Sequence, residues 1–229
     1  MKKTISNLLV YILFPSLVPL LLNKKPYTKE YMIILFITYI LLAIYFIIIY
    51  KNDLKKDLKK INKKDILKSL IYFLIGFSLM ILANYIINYK IIPNGISNNE
   101  LENRKVLLNN KIIYSIMLCT LTPFIEEIIF RLSLKKAIKN STIFIIISSI
   151  IFSTLHLLSN TKLIELLYFI PYFILGLTFS ITYIKTNNVF NSILLHIINN
   201  TLTVIIVLLF KGVIWKKIIK TKLIKKIPF

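Results

Sequence analysis

Apolar runs of about twenty residues recur along the chain, each closed off by a short polar or lysine-rich segment. A helix of about 20 apolar residues crosses a hydrocarbon core about 30 Å thick. The pattern therefore predicts spans over residues 4–23, 31–50, 69–89, 112–134, 142–158, 164–184 and 189–210. That is an all-α, polytopic transmembrane helix bundle of about seven spans, with six to eight allowed by the run lengths. Residues 31–50 carry no charge at all. The first run follows Met1-Lys2-Lys3 like a signal peptide, yet the first alanine is Ala43, so no A-x-A type cleavage site follows and the span is read as retained.

The polar segments between the runs divide the chain. Residues 51–68 hold eight Lys and three Asp, with Leu54, Leu58 and Ile61 at helical spacing. They are read as an amphipathic helix on an anionic leaflet, or as a solvated basic loop. Pro93 to Lys111 is rich in Asn and is read as a connecting loop. These limits give an N-terminal transmembrane region over 1–111, a core over 112–210, and a basic interfacial tail over 211–229. No internal repeat is present.

Composition changes this picture little. The chain has 229 residues, is 57% hydrophobic and carries a formal charge of +21. Its lysines sit between and after the apolar runs, where topology signals lie, so the charge is no argument for nucleic acid. The expected partner is the lipid bilayer. Lysine counting places the N-terminus in the cytoplasm, with 51–68 and the Arg131–Lys139 turn on the same side. Seven spans would then leave the tail, with seven Lys, on the far side, against the same rule. The single Cys119 lies inside a span and says nothing about a redox compartment.

One run breaks the rule that spans carry no charge. Thr122-Pro123-Phe124-Ile125-Glu126-Glu127-Ile128-Ile129-Phe130-Arg131 puts two carboxylates and a guanidinium inside the fourth span. Each costs about 2.5–3.5 kcal/mol at a helix centre on insertion scales. Glu127 and Arg131, at i and i+4, share a face with the acid N-terminal, the favourable order for a pair. Glu126 is turned about 100° away and needs a water, a proton or a histidine from elsewhere. Pro123 has no N–H and loosens the helix one turn earlier. By itself the motif fits a structural ion pair or a proton relay as well as a catalytic site.

The chain has two histidines, and both fall in predicted spans. Phe152 lies one turn before His156 and can pack against its ring. His196 and Asn200 are i and i+4, an imidazole beside an amide. Polar groups at such depth face the bundle interior or a wet cavity, so Glu126, His156, His196 and Asn200 can converge from three helices. A carboxylate there can take a proton from water, and an imidazole and an amide can donate to an oxyanion. Neither Ser153 nor Thr154 has a recognisable base partner.

Glu126-Glu127-x-x-x-Arg131, Phe152-x-x-x-His156 and His196-x-x-x-Asn200, in this order on successive helices, resemble the three motifs of the CAAX prenyl protease and bacteriocin-processing family, the Abi family of intramembrane proteases. Thr122-Pro123 and Phe130 also fit the surroundings of the first motif. Many relatives have Gly where Leu132 and Ser153 stand here. The resemblance implies an intramembrane endopeptidase that hydrolyses a membrane-associated peptide or protein. In it Glu126 is the base, His156 its water-holding partner, and His196 with Asn200 the oxyanion donors, with Glu127, Arg131 and Phe152 supporting. It also implies CAAX-type processing, bacteriocin self-immunity or peptide maturation as settings.

No cofactor is favoured. Glu126, His156 and His196 form an alternative zinc set, since two His and a Glu with one water is a known catalytic arrangement. The chain lacks H-E-x-x-H, however, and Asn200 is a poor zinc ligand. A non-catalytic immunity or scaffold protein and a proton-coupled transporter stay open, although a transporter more often shows repeated halves. The compact chain points to a prokaryotic cytoplasmic membrane.

Overall fold

Five helices begin at a side chain that caps them, and these caps set the punctuation of the fold. Thr28, Asn62, Ser97, Asn140 and Asn188 each accept a hydrogen bond from a backbone N–H two or three residues on. Such caps satisfy donors that a helix start leaves orphaned. The structure, a computed structural model, describes residues 2–22, 28–93, 95–158 and 163–210. The basic tail 211–229 lies outside the described residues.

The elements are α1 (Lys2–Leu22), α2 (Lys29–Ile49), α3 (Lys51–Lys59), α4 (Lys63–Tyr85, ending in a π turn Ile86–Ile91) and α5 (Asn98–Asn109). Next come α6 (Lys111–Ala137), α7 (Ser141–Leu155), α8 (Leu163–Thr186, its first turns 3-10) and α9 (Val189–Leu209). No strand occurs among the described residues. The chain is an all-helical, polytopic bundle. Five of its helices are long and apolar enough to cross a membrane, namely α2, α4 with its π turn, α6, α8 and α9. Two shorter apolar helices, Thr4–Val18 and Ser141–Leu155, occupy the other two runs expected to span.

Two segments differ from the reading of the sequence. Residues 98–109, expected as part of a loop, form α5; Ser97 caps it, and Leu101 and Leu107 are buried beneath it. Its polar face hid a helix whose few apolar positions meet Val204 and Val207 of α9. In 51–68 the helix breaks at Lys60–Asn62, and Leu58 and Ile61 are exposed while Leu54 is buried. The buried polar member is Asp57, which accepts from Val189 N at 3.0 Å, while Asn188 Nδ2 donates to its carbonyl at 2.8 Å. α3 therefore caps the start of α9.

Packing sorts the two ends of the bundle. At one end the start of α1 meets the end of α6, where Thr4 Oγ1 donates to Ser133 O at 3.2 Å. There Lys136 also pairs with Asp53 of α3 at 2.5 Å. At the other end α5 reaches the start of α8, with Asn98 N donating to Glu165 Oε2 at 3.0 Å. Small residues let α7 and α8 close up in between: a Cβ on Gly176 would stand 2.9 Å from Ser149 Cα. Backbone approach of this kind is how helices pack where lipid supplies no hydrophobic drive.

Candidate active site

The site is built on the helix that departs most from regularity. α6 alternates α-helix with π segments at Met117–Leu121 and Ile128–Ser133, bracketing the carboxylates. Proline explains the first. Thr122 N–H reaches back five residues to Met117 O. The next donor in that register belongs to Pro123, which has none, so the Leu118 carbonyl is orphaned. Asn200 Nδ2 from α9 donates to Leu118 O at 2.9 Å and fills the gap. One N–H of that amide is left over.

The wider π turns rotate the following residues, and all six from Ile128 to Ser133 are buried. Arg131 is fully buried. Its Nε pairs with Glu127 Oε2 at 3.0 Å, and its Nη1 donates to Ser148 Oγ at 2.5 Å. That hydroxyl in turn donates to Phe130 O at 2.7 Å. The guanidinium lies 5.5 Å from the Phe152 ring centroid and 5.9 Å from that of Phe179, a cation–π distance for both. Glu127 spends its other oxygen on His196: Oε1 stands 3.0 Å from Nδ1. It thus bridges arginine and histidine, a link that sequence spacing within α6 did not reveal.

Glu126 is treated differently. Its Oε1 accepts from Tyr11 O–H at 2.8 Å. Its Oε2 is buried and has no hydrogen-bond partner among the described residues. That oxygen is 3.9 Å from His196 Nε2, too far for a hydrogen bond. One water or substrate oxygen between them would touch both.

The histidines are held by aromatic rings as well as by hydrogen bonds. Phe152 and His156 have centroids 4.3 Å apart, and Tyr172 covers His156 at 4.7 Å. His156 ends α7, its Nδ1 2.8 Å from Phe152 O. A carbonyl only accepts, so Nδ1 carries the proton and a neutral ring offers Nε2 as an acceptor. His196 stacks on Phe179 at 4.8 Å. Its Nδ1 faces a carboxylate and donates, so Nε2 donates as well only in the imidazolium form.

Glu126, His156, His196 and Asn200, from α6, α7 and α9, line one cavity of about 320 Å³ with Phe152 beside them. Glu127 and Arg131 lie behind it. Further lining comes from Tyr11, Tyr39, Tyr172 and Asn199, and from the α5 face of Asn99, Glu100, Asn103 and Arg104. Tyr11 had a sequence signal: Thr4, Asn7 and Tyr11 make one polar line down an apolar helix. The α5 face had none once that segment was read as a loop. Among the described residues no group of three or more His, Cys, Asp or Glu is arranged to hold a metal ion. Nδ1 of His156 is held by the Phe152 carbonyl and Nδ1 of His196 by Glu127, which leaves each ring its Nε2 towards the cavity.

The helical membrane bundle thus gathers a buried acid, two histidines and an amide around one polar cavity. Residues 108–202 match the family model described as type II CAAX prenyl endopeptidase Rce1-like, which is the family the three motifs resemble. The matched segment holds all three motifs and runs from the end of α5 into α9. It supports an intramembrane endopeptidase acting on a peptide or protein at a lipid bilayer. No curated protein and no solved structure matches the chain.

Proposed function

We propose that the protein hydrolyses a peptide bond of a membrane-associated substrate with a water activated by Glu126. The observation that carries this is the unequal use of the two carboxylates. Glu127 is engaged on both sides, ion-paired with Arg131 at 3.0 Å and hydrogen-bonded to His196. Glu126 instead has one oxygen held by Tyr11 and one with no hydrogen-bond partner among the described residues, 3.9 Å from His196 Nε2. Glu126 takes a proton from water as the water oxygen bonds to the peptide carbonyl carbon. The C=O electron pair moves to oxygen, giving a tetrahedral oxyanion. His156 Nε2 accepts a hydrogen bond from the other water hydrogen, which stays on the oxygen, and orients the attack. His196, as imidazolium against Glu127, and the spare Asn200 N–H donate to the oxyanion. When the intermediate collapses the C–N bond breaks, and Glu126 passes its proton to the leaving amine. Donors aimed at such an oxyanion are each worth roughly 10²–10³ in kcat.

The scheme needs no metal, so cleavage is expected to survive exhaustive chelation. Stoichiometric zinc, with activity lost on its removal and regained on its return, would contradict it. The two carboxylates separate by readout. Glu126→Gln is expected to abolish cleavage while the protein purifies and melts as wild type. Glu127→Gln is expected to lower stability, because Arg131 then has no buried counter-charge. An active Glu126→Gln beside a stable, inactive Glu127→Gln would reverse the assignment.

We also place the N-terminus, 51–68 and the Arg131–Lys139 turn in the cytoplasm of a prokaryotic cell. The contacts Thr4–Ser133 and Asp53–Lys136 support a shared side. Cysteines at Lys60 and Lys136, in a chain lacking Cys119, are expected to resist impermeant thiol reagents in intact cells. Labelling of either from outside would sink this orientation.

A further inference from the structure

Tyr11 lies in α1, almost a hundred residues before the segment that matches the family model, yet it touches the proposed base. Three features fix it there. Its hydroxyl donates to Glu126 Oε1 at 2.8 Å across the bundle. Its ring meets Phe130 edge-on, with centroids 5.8 Å apart and planes at 89°. One turn earlier, the buried Asn7 is pinned to α2, where its Nδ2 donates to Tyr50 OH at 2.6 Å and Tyr45 OH lies 3.4 Å from its Oδ1. Thr4, Asn7 and Tyr11 are spaced i, i+3 and i+7, so one face of α1 carries the bonds of all three residues. An apolar helix on an apolar bundle needs none of them for burial. Their joint effect is to set α1 in register and in rotation, with the phenol at the cavity wall.

We propose that Tyr11 is a positioning residue for Glu126, and that α1 completes the catalytic site. The inference rests on the endopeptidase reading above. With Oε1 tied to a phenol that can only donate to it, the carboxylate cannot rotate freely. The oxygen left for water is then Oε2, the one beside His196 Nε2. Without Tyr11 the carboxylate can turn either oxygen to any donor in the cavity, and the attacking water loses its fixed line. Tyr11→Phe keeps the ring that lines the cavity and removes only the hydroxyl that holds Oε1, so the loss is expected on kcat rather than on KM.

The test uses the full chain in detergent with 3-fluorotyrosine at position 11, Tyr11→Phe, and an internally quenched peptide selected from a library for cleavage by wild type. Tyr11→Phe is expected to lower kcat about 10- to 100-fold, below the roughly 10²–10⁴ that a general base supplies, with KM within twofold. The fluorotyrosine protein keeps the O–H and is expected to recover most of the rate. Its ¹⁹F resonance is expected to shift in Glu126→Gln and to stay put in Glu165→Gln, which reads the contact without activity. A resonance indifferent to Glu126, or Tyr11→Phe with kcat within twofold of wild type, overturns the proposal. So does a loss carried by KM or by a lowered melting temperature. If no library peptide is cut while the ¹⁹F response is seen, the contact stands; the endopeptidase reading fails and takes the catalytic role with it.

Discussion

α2 and α6 start from similar material and end as opposites. Both are apolar runs of spanning length. α2 is one unbroken α-helix whose charges are confined to its first turn, at Lys29 and Glu30, with Ile33, Ile37, Leu41, Ile44 and Ile48 exposed along it. α6 is broken by two π segments and buries Glu126, Glu127 and Arg131 at 5% exposure or less. The lesson is that burial here follows polarity. In water apolar faces turn inward, but in lipid they have no reason to, and the groups that must be enclosed are the charged ones. α2 can face lipid because, beyond its first turn, the side it exposes is apolar. α6 needs arginine for glutamate, serine for arginine, and Asn200 for the carbonyl orphaned by Pro123.

That contrast breaks most sharply at the chemistry. His156→Ala removes the ring proposed to hold the water, and kcat/KM is expected to fall by about 10²–10⁴, read as peptide cleavage by folded protein. Arg131→Met comes next. It leaves Glu127 as a buried carboxylate with His196 alone, and removing one partner of a buried pair costs about 3–5 kcal/mol. Equilibrium unfolding in mixed micelles titrated with SDS checks this, and a loss below about 1 kcal/mol would show that the pair is dispensable. Asn200→Leu leaves Leu118 O unsatisfied, an expected cost of about 1–3 kcal/mol on the same measurement. Ile37→Leu, on the exposed face of α2, is expected to change stability by less than about 0.5 kcal/mol. A larger effect would mean that α2 is not the passive helix drawn here.

Reading the chain as sequence recovers the bundle because spans are set by length and hydropathy, both local properties. It recovers Glu126, His156, His196 and Asn200 as a group for a related reason: polar side chains inside apolar runs are few, and few places can receive them. It fails where partners are chosen by tertiary geometry. The i, i+4 spacing gives Glu127 to Arg131, but nothing in the spacing says that its other oxygen meets His196, 69 residues away. Pro123 announces a loosened helix, yet the carbonyl it orphans and the amide that repairs it can be paired only once α9 is placed against α6. α5 was lost because its apolar positions are sparse and its neighbours are Asn-rich; only Ser97, three residues before Glu100, marked a helix start there. Tyr11 shows the same limit: the polar line of Thr4, Asn7 and Tyr11 marks a face of α1, but nothing in it says that the phenol meets Glu126, 115 residues away.

The central claim is that Glu126 activates the water while Glu127 does not. The most direct measurement is cleavage of one quenched peptide by purified wild type and Glu126→Gln, with unfolding of both followed in the same detergent. The account expects wild type to cut, and Glu126→Gln to unfold like wild type while its rate drops at least about 10²-fold. Cleavage by Glu126→Gln at the wild-type rate would contradict it.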